Sequence, residues 1–240
     1  MIMMKRLLIT WLSAIMSFTA IAQQSNTISF LGIPVDGSKA EMENRLRTEK
    51  GFFYEDNNWQ EAGILTGNFN GYQVHVSISD YNGLVKRVMV SYPYMSETQV
   101  KILYNELFRQ LSKNEKYVVN MFDSTGELNE DEDISYEISV NSKQYQNVFV
   151  YPPWETLKDY VKRIENVQNP DDLSQDEELM SFYNSTHKDG KEDSAAILFW
   201  ILEHSEGHVW FTIVTGVNYG DYHIILFYDN KKNKANGEDL

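Results

Sequence analysis

Strict alternation of apolar and polar residues predicts strands at residues 72–78 and 134–140, each with one face buried. The apolar positions that we expect to point inward are Tyr72, Val74, Val76, Ile78, Ile134, Tyr136, Ile138 and Val140. The polar positions that we expect to point outward are Gln73, His75, Ser77, Ser135, Glu137 and Ser139. Asn82-Gly83 predicts a turn to a partner strand over 84–90, and residues 147–151 are expected to form a hairpin with the second strand.

The last third of the chain predicts three more strands, at 197–203, 209–215 and 222–228. Ser205-Glu206-Gly207 and Tyr219-Gly220 separate them, and both segments are typical of turns. From Asn230 onward the chain is polar, and we expect a flexible tail.

Four helices are indicated by capping signals followed by apolar residues at helical spacing. The first predicted helix covers 39–49, starting at the Ser38–Glu41 box and ending at Gly51, and the second runs for about four turns after the Ser96–Gln99 box. The third follows Pro152-Pro153, with Trp154, Leu157, Val161 and Ile164 on one side. The fourth follows the Ser174–Glu177 box and includes Leu179, Phe182 and Tyr183.

Helices and strands follow one another in runs and do not alternate strictly, which favours the α+β class with a mainly antiparallel sheet and helices packed on one face. No linker rich in Gly, Ser or Pro divides the chain, so we expect residues 23–240 to form a single domain. The order of the elements also admits two diverged copies of a unit of one helix and three strands.

The first 22 residues have the pattern of a cleavable secretory signal. Lys5 and Arg6 are followed by an apolar run over 7–18, and Ala20-Ile21-Ala22 supplies small residues for cleavage before Gln23. A run of about a dozen apolar residues is shorter than the roughly 20 that span a bilayer. We therefore expect an exported protein with no transmembrane segment in the mature chain.

Composition narrows the candidate functions. The 240 residues include no cysteine, which excludes disulfides, thiolate metal sites and a cysteine nucleophile. The formal net charge is −14, and losing Lys5 and Arg6 with the signal makes the mature chain more acidic. Such a charge argues against binding to nucleic acid and to anionic membranes.

Several segments of the mature chain resemble a group of small exported proteins from Bacteroides-type bacteria. The similar segments are Phe30-Leu31-Gly32-Ile33-Pro34-Val35-Asp36-Gly37-Ser38, Leu65-Thr66-Gly67-Asn68-Phe69-Asn70-Gly71, residues 131–138, and the ending from Phe227 to Asn230 and from Asn236 to Leu240. The resemblance carries no assigned activity, ligand or site residue. It implies a location in the periplasm or on the surface of a Gram-negative cell.

Two local clusters suggest metal binding. His204 and His208 flank a predicted hairpin turn and could share Zn²⁺ with Glu203 or Glu206, although the H-E-x-x-H spacing is absent and ordinary turn histidines are the simpler interpretation. The segment 123–129 has the composition of a calcium loop but lacks the EF-hand positions of Gly and Glu, so an acidic, solvated loop is expected. We accordingly predict neither a metal nor a cofactor.

The sequence contains none of the G-x-S-x-G, P-loop or G-x-G-x-x-G motifs. Aromatic residues that could stack on a sugar or a protein partner are Trp59, Tyr72, Tyr92, Tyr94 and Tyr151. We therefore expect a non-catalytic binding or interaction protein, whose sheet presents one face to another cell-envelope protein or to a glycan. The alternative is a hydrolase acting on a glycan or peptide, with dispersed catalytic residues.

Overall fold

The computed structural model describes residues 27–166, 176–188, 191–218 and 220–234. The predicted signal peptide, Ser174 and Gln175 of the last capping box, Tyr219 and the end of the tail lie outside these ranges. Within them the chain is α+β, with a seven-stranded antiparallel sheet, as predicted.

The helices and strands are numbered separately in chain order. The helices are α1 (Lys39–Lys50), α2 (Asn57–Ala62), α3 (Glu97–Ser112), α4 (Ile134–Asn141), α5 (Trp154–Asn166), α6 (Glu177–Thr186) and α7 (Ser194–Glu203). The strands are β1 (Ser29–Phe30), β2 (Ile33–Pro34), β3 (Ile64–Phe69), β4 (Tyr72–Tyr81), β5 (Leu84–Ser91), β6 (Val118–Val119), β7 (Gln146–Tyr151), β8 (His187–Lys188), β9 (Lys191–Glu192), β10 (Gly207–Thr215) and β11 (Tyr222–Asn230).

The main sheet has the strand order β3-β4-β5-β11-β10-β7-β6, and all of its neighbouring pairs are antiparallel. Two three-stranded sets, β3-β4-β5 and β7-β10-β11, therefore meet through their last strands. Helix α1 precedes the first set and α3 precedes the second. This order is the one that two copies of a helix-plus-three-strand unit would produce.

The larger hydrophobic core lies between one face of the sheet and helices α1, α3 and α4. Its members include Val76 and Val90 from the first set of strands, Phe211 from the second, and Leu46 and Tyr104 from the helices. All five side chains are fully buried. The sheet and these helices thus form two layers around one core.

The helices α5, α6 and α7 build a second, smaller cluster on the opposite face of the sheet, at its β6–β7 end. Successive residues of a strand point to opposite faces. Phe149 of β7 belongs to the larger core, whereas the next residue, Val150, packs with Tyr160, Phe182 and Trp200 of the second cluster. The prediction of helices on one face therefore describes α1, α3 and α4 but not α5 to α7.

The predicted first hairpin and the early helices are confirmed, with local interactions that explain them. Asn82 and Gly83 both have positive φ, as a tight turn between β4 and β5 requires. The Ser38 side chain accepts a hydrogen bond from the Glu41 amide at the start of α1. Ser96 and Gln99 form a reciprocal capping box at the start of α3.

The prediction of a strand over 134–140 is wrong, because these residues form helix α4. Asp133 caps the helix by accepting from the Tyr136 amide, and Glu97 of α3 accepts from the Ile134 amide. Ile134 is buried, whereas Tyr136 and Val140 are 53% and 60% exposed. The strand over 147–151 does form, as β7, but its partners are β10 and β6.

The prediction of a strand over 197–203 is also wrong. The segment belongs to α7, where Asp193 caps the first turn by accepting from the amides of Ala195 and Ala196. A short run of apolar residues is compatible with a buried strand or with a buried helix. The two strands predicted after it are present as β10 and β11.

The first part of the predicted tail is anchored to the domain. Asn230 is buried and donates from its side-chain amide to the Val35 carbonyl. Asn233 donates to the Val85 carbonyl and to the Asp36 carboxylate. The chain is thus held to the N-terminal elements and to β5 through residues 230–233.

Candidate functional site: the uncovered face of the sheet

The face of β3, β4, β5, β11 and β10 opposite the larger core is the candidate site, and we call it the uncovered face. Among the described residues, none of its large apolar side chains belongs to either hydrophobic cluster. Strand alternation gives its outward residues, which are Ile64, Thr66, Asn68, Gln73, His75, Ser77, Ser79, Arg87, Met89, Ser91, His208, Trp210, Thr212, Val214, His223, Ile225, Phe227 and Asp229.

A row of apolar side chains crosses the middle of this face and continues onto β7. The strand registers place Met89 opposite Phe227, Phe227 opposite Trp210, and Trp210 opposite Val148 of β7. We call these four residues the apolar strip. All four side chains are half-buried, and the rings of Trp210 and Phe227 stack with centroids 4.0 Å apart and an interplanar angle of 15°.

An ion pair lies beside the strip. Arg87 donates from two guanidinium nitrogens to the Asp229 carboxylate, and the Trp210 indole N–H donates to the same carboxylate over 3.0 Å. The guanidinium carbon also lies 4.9 Å from the centroid of the Phe227 ring. Charge and stacking therefore fix the side chains of this cluster relative to one another.

Asp229 stays ionised in this setting. Its side chain is only 3% exposed, and burial by itself would raise the pKa of the carboxyl group. Hydrogen bonds from Arg87 and Trp210 outweigh burial and hold the pKa of Asp229 below its usual range. The hydrogen bond to Asp229 in turn raises the pKa of Arg87. The charges of Arg87 and Asp229 cancel, and Lys234 Nζ lies 3.8 Å from Asp229 Oδ2.

A histidine–aromatic pair lies at the β3–β4 end of the face. The His75 ring packs against the indole of Trp59 from α2, with centroids 4.6 Å apart. His75 Nδ1 is 3.1 Å from the hydroxyl oxygen of Thr66, and that hydroxyl donates to the Glu55 carboxylate over 3.0 Å. Helix α2, which carries Trp59, is capped by Asp56 and ends at Gly63 in a left-handed conformation.

A second histidine–aromatic pair lies on β11. The His223 side chain packs under Tyr94, with ring centroids 4.7 Å apart, and Tyr94 is 59% exposed. His223 Nδ1 is buried and has no hydrogen-bond partner among the described residues. Burial lowers the pKa of His223, so its ring is neutral at pH 7.

The structure does not bring His204 and His208 together as metal ligands. His204 ends α7, where its ring stacks on Trp200 and its Nδ1 lies 2.9 Å from the Trp200 carbonyl oxygen. His208 lies on β10, and Glu206 forms an ion pair with Lys232 over 2.9 Å. Among the described residues, no three acidic or histidine side chains could hold a metal ion.

His208 instead belongs to a hydrogen-bonded cluster around Ser205. Ser205 is buried, and its hydroxyl oxygen lies 3.1 Å from His208 Nε2. The hydroxyl donates to the Leu202 carbonyl and accepts from Lys231 Nζ over 3.0 Å. Burial and the nearby charges of Lys231 and Lys234 lower the pKa of His208 to about 4. These bonds occupy the hydroxyl, and the cluster joins the end of α7 to the end of β11.

Three acidic side chains of the loop over 123–133 have separate partners. Asp123 accepts from the Asn120 amide, Glu127 pairs with Arg109, and Glu132 pairs with Lys143 and accepts from the Tyr145 hydroxyl. These contacts tie the loop to α3 and to the start of β7. They do not assemble a calcium site.

Two of the five aromatic residues singled out from the sequence, Trp59 and Tyr94, lie against histidines of the uncovered face. Tyr72 and Tyr92 pack against each other on the core side, and Tyr151 packs against Tyr117. Arg87, Trp210, Phe227 and Asp229 are not among the residues singled out from the sequence. The alternation of apolar and polar residues in β5, β10 and β11 could have shown which side chains of each strand share a face. Which of these side chains become neighbours depends on the order of the strands in the sheet.

Comparison of the chain with the profiles of known protein families, with curated proteins and with solved structures gave no match. Within the described ranges, the helices are too short or too polar to cross a membrane.

Proposed function

We propose that this is an exported, non-catalytic binding protein that recognises its partner through the uncovered face of the sheet. The apolar strip is the observation that carries the proposal. Trp210 and Phe227 lie at its centre with Arg87 beside them. Tryptophan, tyrosine and arginine dominate the binding energy of protein interfaces, and other aromatic residues and methionine are enriched there.

The charge of the face supports the same proposal. The chain carries a formal net charge of −14, yet beside the strip the Asp229 carboxylate is paired with Arg87, and Lys234 Nζ also lies 3.8 Å from Asp229 Oδ2. A partner can therefore approach the strip without leaving an unpaired charge at the centre of the contact, which would be costly to desolvate.

The N-terminal pattern and the resemblance support export. Residues 1–22 have the charged, apolar and small-residue regions of a cleaved signal. The similar proteins imply a periplasmic or surface location in a Gram-negative cell. Candidate partners are therefore another protein of the cell envelope or a glycan.

Substitution in the strip tests the proposal. Mature protein starting at Gln23 is used to capture partners from periplasmic and outer-membrane extracts of its host, and each captured molecule is then purified and titrated. Met89→Lys adds a charge to the strip without removing a bond to Asp229, and we expect it to weaken binding at least tenfold. Tyr136→Lys, on the exposed side of α4, is the control and should bind as the parent does.

Thermal unfolding of both variants checks that they are folded. Equal affinity of the parent and the folded Met89→Lys variant for every purified partner would overturn the proposal. Turnover of the captured molecule by the mature protein would favour the hydrolase alternative.

A further inference from the structure

The two histidine–aromatic pairs lie on the same face and enclose a strip of neutral side chains. In the strand register, His75 is opposite Ser91, and Ser91 is opposite Ile225, the residue two positions from His223. Two strand spacings across the sheet and two residues along a strand separate His75 from His223 by about 12 Å. We call His75, Ser91, Ile225 and His223, with Trp59 and Tyr94, the histidine strip.

The hydrogen bond at His75 Nδ1 determines whether its other ring nitrogen, Nε2, donates or accepts a hydrogen bond. The Thr66 hydroxyl has one proton, which it donates to Glu55, so its oxygen accepts from the Nδ1–H of His75. In the neutral form of the ring, His75 Nε2 then carries a lone pair and is a hydrogen-bond acceptor. The side chain of Glu55 fixes this tautomer through Thr66, as carboxylates commonly do for functional histidines.

His223 supplies the second unusual group. Its neutral ring is mostly buried, and no described residue bonds to Nδ1. A buried polar nitrogen without a partner is costly, and the residue above it, Tyr94, is the more exposed member of the pair. A ligand hydroxyl that reaches this nitrogen after rotation of the Tyr94 side chain would satisfy it.

We propose that the histidine strip binds a short, neutral oligosaccharide, an inference that rests on the proposed binding function of the uncovered face. The C–H faces of a sugar ring carry partial positive charge and pack on aromatic faces, which Trp59 and Tyr94 provide at the two ends of the strip. Sugar hydroxyls both donate and accept, which suits the acceptor on His75, the unpartnered nitrogen of His223 and the hydroxyl of Ser91.

The charge of the protein argues against acidic oligosaccharides as ligands of the strip. Ser91 and Ile225 between the two pairs carry no charge, the Thr66 hydroxyl beside His75 donates to the Glu55 carboxylate, and the whole chain is acidic. An anionic sugar would be repelled by this field, and the strip contains no lysine or arginine to pair with it. The ligand is therefore an uncharged glycan segment.

Titration of the mature protein with cellotetraose, maltotetraose, xylotetraose and mannotetraose at millimolar concentrations tests the inference, with tetragalacturonate as the acidic comparison. Binding is followed by calorimetry and by the ring resonances of His75 and His223. We expect at least one neutral tetrasaccharide to bind and to shift both sets of resonances, and tetragalacturonate to give no shift.

Trp59→Ala and Tyr94→Ala should each weaken that binding at least tenfold, whereas the control Tyr136→Ala should leave it unchanged. If Trp59→Ala does not fold, Trp59→Leu keeps an apolar side chain without the aromatic face and should show the same loss. Absence of binding by all four neutral sugars, or equal affinities of the parent and both aromatic variants, overturns the oligosaccharide proposal.

The Met89→Lys variant distinguishes failure of the oligosaccharide proposal from failure of the proposed binding function. If no sugar binds but Met89→Lys abolishes capture of a partner, the uncovered face is a binding surface and the sugar proposal alone is wrong. If neither sugar nor partner depends on the uncovered face, both proposals are wrong.

Discussion

The carboxylate of Asp229 is a charged group held almost without solvent contact on the uncovered face. It receives two hydrogen bonds from Arg87 and one from Trp210. Asp229→Asn keeps the size of the side chain but removes the charge that Arg87 neutralises. We expect a loss of about 2–4 kcal/mol in the free energy of unfolding at pH 7, measured by urea denaturation.

The control is Glu127→Gln, which removes the carboxylate of the exposed pair with Arg109 and should change stability little. Because the pKa of Asp229 is lowered in the folded state, its contribution is present above the unfolded pKa and is lost as pH falls through the folded pKa. The difference between the parent and Asp229→Asn should therefore shrink below about pH 4. A difference that is constant down to pH 2 would contradict the ionised assignment.

Adjacent residues of β4 test which face of the sheet is buried. Val76 is fully buried in the larger core, whereas Ser77 is half-buried on the uncovered face. Val76→Asp should cost about 3–5 kcal/mol because it places an unpaired carboxylate in the core, and Ser77→Asp should cost less than about 1 kcal/mol. Urea denaturation of both variants measures the difference. Equal destabilisation would mean that another part of the molecule covers the uncovered face.

At the scale of single elements, α4 and α7 show where sequence patterns misled. In α4, alternation at residues 134–140 also places Ile134 and Ile138 four residues apart, on one helical face, and Ile138 packs against the core. Three contacts from outside the segment favour the helix: the cap by Asp133 and the two bonds accepted by Glu97 from Ile134 and Ser135.

Helix α7 is apolar nearly all round, so its pattern alone does not indicate which side is buried. The structure buries Trp200 among Tyr160, Phe182 and His204 and leaves Phe199 56% exposed, stacked on Phe122. Trp200→Ala should cost about 3–5 kcal/mol, and Phe199→Ala should cost less than about 1 kcal/mol. Thermal and urea unfolding of both variants measure the two losses in the free energy of unfolding. A larger loss for Phe199→Ala than for Trp200→Ala would contradict the orientation of α7.

The whole molecule joins two sets of three strands at the β5–β11 pair. This pairing brings Arg87 opposite Asp229 and Met89 opposite Phe227, although 142 positions separate the first two in sequence. The uncovered face therefore draws its residues from both halves of the chain. Its chemistry depends on the junction between the two sets.

Export is a prediction about the whole molecule. Protein recovered from its native host should begin at Gln23, because signal peptidase cleaves after the small residues that end at Ala22. Mass analysis of the intact protein and of its N-terminal peptide gives the mature start. An N-terminus at Met1 in the recovered protein would contradict the export proposal.

The sequence by itself determined the α+β class, the β4–β5 hairpin, the helices α1 and α3, and the inward direction of Val74, Val76 and Ile78. Each of these depends on local interactions: a capping side chain, a turn that needs positive φ, or alternation beside a clear turn signal. Only the tertiary structure decided that residues 134–141 and 194–203 are helical, that β7 pairs with β10, and that Arg87, Trp210, Phe227 and Asp229 meet on one face. These features arise from contacts between segments distant in the chain, and the energy of such contacts outweighs local periodicity.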